Sequence, residues 1–127
     1  ASLPSARSTR EIAARTRSVL AERFAEPVTA DELAAAADAS RYAVYRAFQS
    51  TYGLSPSDFQ RQLRLRLARA LLGAGRPAAE AAAVAGFADQ AHLTRWFVRY
   101  FGVTPSAYRV AASRTSVQDP PAAPVAR

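Results

Sequence analysis

Tyr42, Tyr45, Arg46 and Gln49 fall at the i, i+3, i+4, i+7 spacing that lines one face of a helix. Forty-nine positions further on, Ala91, Thr94, Arg95 and Val98 repeat that spacing, with Gln90 just before them. Such side chains suit the edges of nucleobases. An arginine fork grips guanine at two points, a glutamine amide pairs with adenine, and aromatic or methyl groups touch the thymine methyl. A single helix carrying them fits the major groove of a duplex. The bland alternative is a solvated helix surface, which is the default for any Arg or Gln on a helix. The placement of Arg46 and Arg95 at one position of two copies of a unit argues against it. Tyr42 and Tyr45 also have the alternative of covering neighbouring side chains.

Other chemistries are poorly supplied. The chain of 127 residues has no cysteine, which excludes disulfides, thiolate metal sites and a thiol nucleophile. His92 is the sole histidine, so there is no histidine cluster for zinc and no metal or cofactor is expected. No carboxylate or serine is placed to make His92 a catalyst; capping, packing or phosphate contact are its readings, and no enzyme activity is expected. No apolar run approaches the roughly 18 residues that would span a bilayer, and the start does not resemble a signal peptide. A cytoplasmic location is the expectation.

The net charge is +7, and all 17 basic residues are arginine. Such a balance calls for an anionic partner. The charge is also unevenly spread. Between Arg41 and Arg69 there are six arginines and one acid, Asp58, whereas Glu11 to Asp38 is balanced to acidic. A positive face is expected.

The elements that must position these residues are helical. Ile12, Val19, Leu20 and Phe24 suit one face of a first helix that Pro27 stops. Thr29 with Glu32 forms a capping box for a second. Ser40 caps a third, with Val44 and Phe48 inward and Gly53 at its end. Pro56 opens a long helix carrying Phe59, Leu63, Leu67 and Leu71 at i, i+4 spacing. Pro77 opens a fifth over Ala78 to Ala85, and Asp89 caps a sixth, with Leu93, Phe97 and Phe101 inward. Thr104-Pro105 begins a short seventh carrying Tyr108.

An internal repeat ties these together. A shift of 49 superposes Ser40 on Asp89, Val44 on Leu93, Arg46 on Arg95, Phe48 on Phe97, Gly53 on Gly102, Pro56 on Pro105 and Phe59 on Tyr108. With one residue inserted in the turn, Glu32 meets Glu80 and Ala37 meets Ala85. The unit is a short alanine-rich helix, a tight turn and a capped helix, which is the helix-turn-helix plan. The fold expected is all-α and homeodomain-like, with seven helices in two helix-turn-helix subdomains joined by a long connector helix. Its divisions are a linker over 1–9, a first subdomain over 10–54, the connector over 55–75, a second subdomain over 76–112 and a disordered tail over 113–127. Two recognition helices on one stiff connector can enter successive major grooves, about 34 Å apart.

The segment Ala85-Gly86-Phe87-Ala88-Asp89-Gln90-Ala91-His92-Leu93-Thr94-Arg95-Trp96-Phe97, followed by Tyr100-Phe101-Gly102-Val103-Thr104-Pro105 and Tyr108-Arg109, resembles the C-terminal signature of the AraC/XylS regulators of bacteria. Ser55-Pro56 through Phe59, Arg64-Leu65, Ala68 and Leu71-Leu72 resemble the connector helix of that family. The resemblance implies binding to promoter DNA and activation of transcription through RNA polymerase. By position it puts base readers at Arg41, Tyr42, Tyr45 and Arg46, then at Gln90, Ala91, Thr94 and Arg95. Gln49 joins them from the helix spacing, and Ala91 departs from the polar residue usual there. Ser40, Arg61, Arg64, His92 and Arg99 are assigned to phosphates. Arg66 or Arg69 can instead pair with Glu32 or Asp58. The start at Ala1 and the loose first residues fit a piece of a parent with a sensor domain, monomeric alone and dimeric through the missing part. The competing reading is a basic helical adaptor for an acidic protein that binds DNA without sequence preference.

Overall fold

The computed structural model of the chain describes residues 8–118. Among them are seven α-helices and no strand: α1 (Thr9–Arg23), α2 (Ala30–Ala37), α3 (Arg41–Tyr52), α4 (Pro56–Gly73), α5 (Ala78–Ala85), α6 (Gln90–Phe101) and α7 (Pro105–Gln118). Local chemistry sets most of the boundaries. Ser8 caps α1 by accepting from the Glu11 amide at 3.1 Å. Thr29 and Glu32 close a reciprocal capping box at the start of α2. Gly53 and Gly102 end α3 and α6 in the left-handed region, where a side chain is strained. In the two turns that precede α3 and α6, that conformation is taken by Asp38 (φ 55°) and Gly86 (φ 96°). Asp is one of the few non-glycine residues that tolerates it.

α7 reaches Gln118, so the helix runs past 112, where the second subdomain was expected to end. Nothing in Ala111-Ala112-Ser113-Arg114 breaks a helix, and composition alone put the boundary too early. Residues 1–7 of the expected linker and 119–127 of the expected tail lie outside the described residues.

The chain divides into two compact units within α4, at Arg64 and Leu65. In the first unit, α1 packs across α2 and α3. Its core holds Ile12, Ala13, Leu20, Leu33, Ala37, Val44, Ala47 and Phe48. Phe48 meets the rings of Tyr52 and Phe59 at 4.8 and 5.5 Å, and the Arg17 guanidinium lies over the same two rings. The buried face of α1 is Ile12, Ala13, Thr16 and Leu20, while Val19 and Phe24 are only half-buried. Thr16 enters the core because its hydroxyl donates to the Ile12 carbonyl at 2.9 Å, leaving no unpaired donor.

In the second unit, Leu65, Ala68, Leu72, Phe87, Leu93 and Phe97 form the core with four alanines of α5. The buried residues of α4 are Leu65, Ala68 and Leu72, with Leu67 and Leu71 of the i, i+4 ladder packed half-buried beside them. An i, i+4 ladder drifts around a helix by about 40° per step, so it cannot keep one face for 18 residues. The near end of α4 supplies Phe59 to the first core, and the far end presents a different stripe to the second.

Three α4 arginines differ from expectation. Arg64 donates from Nε to the Phe24 carbonyl at 2.6 Å and from Nη2 to the Glu26 carbonyl at 3.0 Å. Gln60 donates to the same two carbonyls. The carbonyls left unpaired where α1 ends thus find a cation and an amide. Partial burial, and then the neighbouring Arg61 charge, lowers the Arg64 pKa from its ordinary value. Asp58 pairs with Arg61 at 2.8 Å and Glu32 with Arg23 at 3.6 Å, so neither takes Arg66 or Arg69. Arg69 instead stacks over Phe101, 4.7 Å from its centroid.

Two outcomes follow for stability. Arg64→Ala is expected to lower the free energy of unfolding in urea by about 2 kcal/mol, through lost charge-assisted bonds; an unchanged midpoint would show that the loop holds without it. The Glu32 carboxyl is held below its ordinary pKa, first by the Thr29 amide and then by Arg23. Its stabilisation is complete above the range where a free glutamate titrates and is lost as pH falls through the lowered folded value. Glu32→Gln should therefore lower Tm at neutral pH and flatten the acid limb of Tm against pH.

Candidate nucleic-acid interface

Each recognition helix starts from a side-chain cap. Ser40 accepts from the Ala43 amide at 3.0 Å, and Asp89 from the His92 amide at 2.8 Å. Val44 and Phe48 then pin α3 into the first core, as Leu93 and Phe97 pin α6 into the second. With residues i and i+4 buried, the opposite face must point outward. On α3 that face carries Arg41, Tyr42, Tyr45, Arg46 and Gln49, all exposed. Tyr42 is 68% exposed and Tyr45 50%, unusual for tyrosines in a well-formed unit. On α6, Gln90, Ala91, Arg95 and Val98 are exposed and Thr94 is half-buried.

The face of α3 is internally braced. The Arg46 guanidinium lies 5.5 Å from the Tyr42 ring centroid, and its Nη1 is 3.4 Å from the Tyr42 hydroxyl. Arg41 pairs through Nε with Asp31 of α2 at 3.0 Å. Tyr45 borders a cleft that Leu20, Val28 and Leu33 also line.

The residues assigned to phosphates separate. Ser40 is exposed, and its hydroxyl keeps a proton to donate after serving as cap. His92 is half-buried. Its ring meets Phe87 edge-on at 5.5 Å, and Nδ1 is buried without a hydrogen-bond partner. Arg61 is ion-paired to Asp58. Arg64 gives Nε and Nη2 to two carbonyls of its own chain, which leaves fewer N–H groups for a phosphate. Arg99 is exposed and lies over Trp96 at 5.2 Å. Trp96 itself packs half-buried against the second core, with Tyr100 at its edge. Sequence reasoning did not single out Asp31 or the stacking of Arg99. An acid ten residues before an arginine carries no local signal, because the turn between two helices brings them together.

Among the described residues, no group of histidine, cysteine or acidic side chains could hold a metal ion, and no helix is long and apolar enough to cross a membrane. What the geometry provides is two capped helices, each presenting polar and aromatic side chains outward.

Comparison with known proteins agrees with this geometry. The profile of the helix-turn-helix domain family matches residues 33–111. The chain is 38% identical over 81 residues to the HTH-type transcriptional regulator GbdR of Pseudomonas aeruginosa, covering 63% of this chain and 22% of that protein. It spans between 22% and 28% of the length of the curated relatives it matches. The DNA-binding domain of AdpA, solved in complex with a target DNA, superposes with a TM-score of 0.75 at 29% identity, over 86% of this chain and 98% of that one. A probable AraC family transcriptional regulator from Rhodopseudomonas palustris superposes with a TM-score of 0.74 at 28% identity, over 80% and 96%. The chain belongs to the helix-turn-helix domain family, in its AraC-type DNA-binding branch.

Proposed function

We propose that this chain is the DNA-reading part of a transcription regulator, and that it recognises a specific double-stranded promoter sequence with α3 and α6, each in a major groove. The observation that carries this reading is the pair of exposed faces at the same place in two copies of one unit, Arg46 answering Arg95. The base readers are Arg41, Tyr42, Tyr45, Arg46 and Gln49 on α3, with Gln90, Ala91, Thr94 and Arg95 on α6. Ser40, His92 and Arg99 contact phosphates, with Arg61 joining them by exchanging Asp58 for the backbone. Arg64 is withdrawn from that set by its carbonyl bonds. Phosphate contacts set affinity and register, whereas the exposed faces supply the sequence preference.

The parent protein acts in this reading as a cytoplasmic activator through RNA polymerase, with effector binding and dimerisation outside this chain. The isolated chain is a monomer and no enzyme. The second face is leaner, since Ala91 and Val98 offer only methyl contacts, so its half-site is read mainly through Gln90 and Arg95.

The test is selection from a random duplex pool, followed by anisotropy titration of the winner and a scrambled control at two salt concentrations. A bipartite motif is expected, with half-sites about 10 bp apart and a preference over the control of roughly 10³ or more. No enrichment, with equal salt-sensitive binding to both duplexes, would favour the adaptor. On the selected site, Arg46→Ala is expected to cost about 1–3 kcal/mol and to relax preference at one base pair. Equal weakening on every sequence would make Arg46 a phosphate contact.

A further inference from the structure

The pairing of Arg41 with Asp31 uses one edge of the guanidinium. Asp31 Oδ1 lies 3.0 Å from Nε in an exposed ion pair, and the two terminal amino groups are the edge that grips guanine O6 and N7 bidentately. Both side chains lie in water, 61% exposed for Arg41 and 82% for Asp31. An arginine otherwise keeps considerable rotamer freedom, which a bidentate contact must quench. A carboxylate on the neighbouring helix that holds Nε removes part of that freedom before the duplex arrives. It also sets a negative charge beside the guanidinium, so Arg41 is less ready to bind backbone indiscriminately.

The two copies of the unit support this. At the positions equivalent to Asp31 and Arg41, the second unit has Ala79 and Gln90. The acid is present where the arginine is present, and both are replaced by neutral residues in the other copy. Asp31 has a competing structural explanation, since it stands in the first turn of α2, where a negative charge is favoured by the helix dipole. That explanation applies with or without Arg41, and this separates the two.

We propose that Asp31 is a specificity-determining residue: a positioning residue that acts through Arg41 by orienting its fork toward a base and discouraging its use on the backbone. The inference rests on the sequence-reading function proposed above.

The experiment measures Kd by anisotropy for the selected duplex and its scrambled control, with the wild-type chain, Asp31→Asn, Arg41→Ala and the double variant, each first checked for folding by circular dichroism. The wild type should show a preference. Asp31→Asn should reduce the cognate-to-control ratio about threefold to fivefold, the scale an exposed ion pair can supply. Part of that reduction should come from tighter binding to the control. The relaxed base pair should be the one that Arg41→Ala relaxes, and Asp31→Asn should change nothing further once Arg41 is alanine. A ratio unchanged by Asp31→Asn overturns the inference while leaving sequence reading intact. An equal drop in the Arg41→Ala background also overturns it, assigning Asp31 to the stability of α2. A wild type with no preference removes the sequence-reading function, and the role of Asp31 falls with it.

Discussion

The burial of one phenylalanine in each unit is the constraint on which the rest depends. Phe48 and Phe97 are both fully buried, each a turn beyond a buried aliphatic, Val44 or Leu93. Two anchors on successive turns leave a helix no rotational freedom, and a core packed to crystal-like density leaves it little translational freedom. The outward face of α3 or α6 is thus decided by what faces inward. The same constraint reaches the preceding helix. Ala37 and Ala85, both fully buried, are the small residues that let α2 and α5 approach closely enough to close the cores. A larger side chain at either position would have to push the recognition helix outward and displace every exposed residue on it.

One frame therefore carries two different faces. In the first unit, position 47 is a buried alanine, and the exposed face is rich in arginine and tyrosine with its own braces. In the second, the equivalent position is Trp96, too large to be enclosed, and it leaves a ring on the surface that Arg99 covers. Arg99 thereby gains an apolar seat while remaining exposed, which is how a stacked arginine can serve packing and charge together. The face of α6 has no counterpart of the Arg46 and Tyr42 pair, because Ala91 occupies the position of the tyrosine. The inner stripes of α3 and α6 follow one pattern, and the outer stripes do not. That is the arrangement expected where the frame is under packing constraint and the surface is free to address different partners.

What was legible in the sequence was local or repeated. The caps at Thr29, Ser40 and Asp89, and the terminating Gly53 and Gly102, act over three or four residues, so residue type and spacing reveal them directly. The exposed faces were legible because their inward complements were. Features set by a partner distant in the chain were not. Arg64 reads as one more cation on a basic helix until the carbonyls of Phe24 and Glu26, some forty residues earlier, are beside it. The fully buried residues of α4 were not legible for the same reason, since the i, i+4 ladder of Phe59, Leu63, Leu67 and Leu71 is half-buried and only the packed neighbours enclose Leu65, Ala68 and Leu72. The end of α7 failed differently: a Pro- and Ala-rich tail was read as one compositional block, although its first residues carry no breaker.

The arginines show why charge alone is a poor guide to the interface. Of the four on α4, Arg61 and Arg64 are held by a carboxylate and two carbonyls, Arg69 lies on an aromatic ring, and Arg66 is the one in the exposed class. Arg17 lies over two aromatic rings in the first unit. A guanidinium bound to carbonyls keeps its charge but has fewer N–H groups left to donate to a phosphate, so its part in the long-range field outlasts its part in contacts. The net charge of +7 draws the chain toward any polyanion, while the two buried phenylalanines turn only a few donors outward.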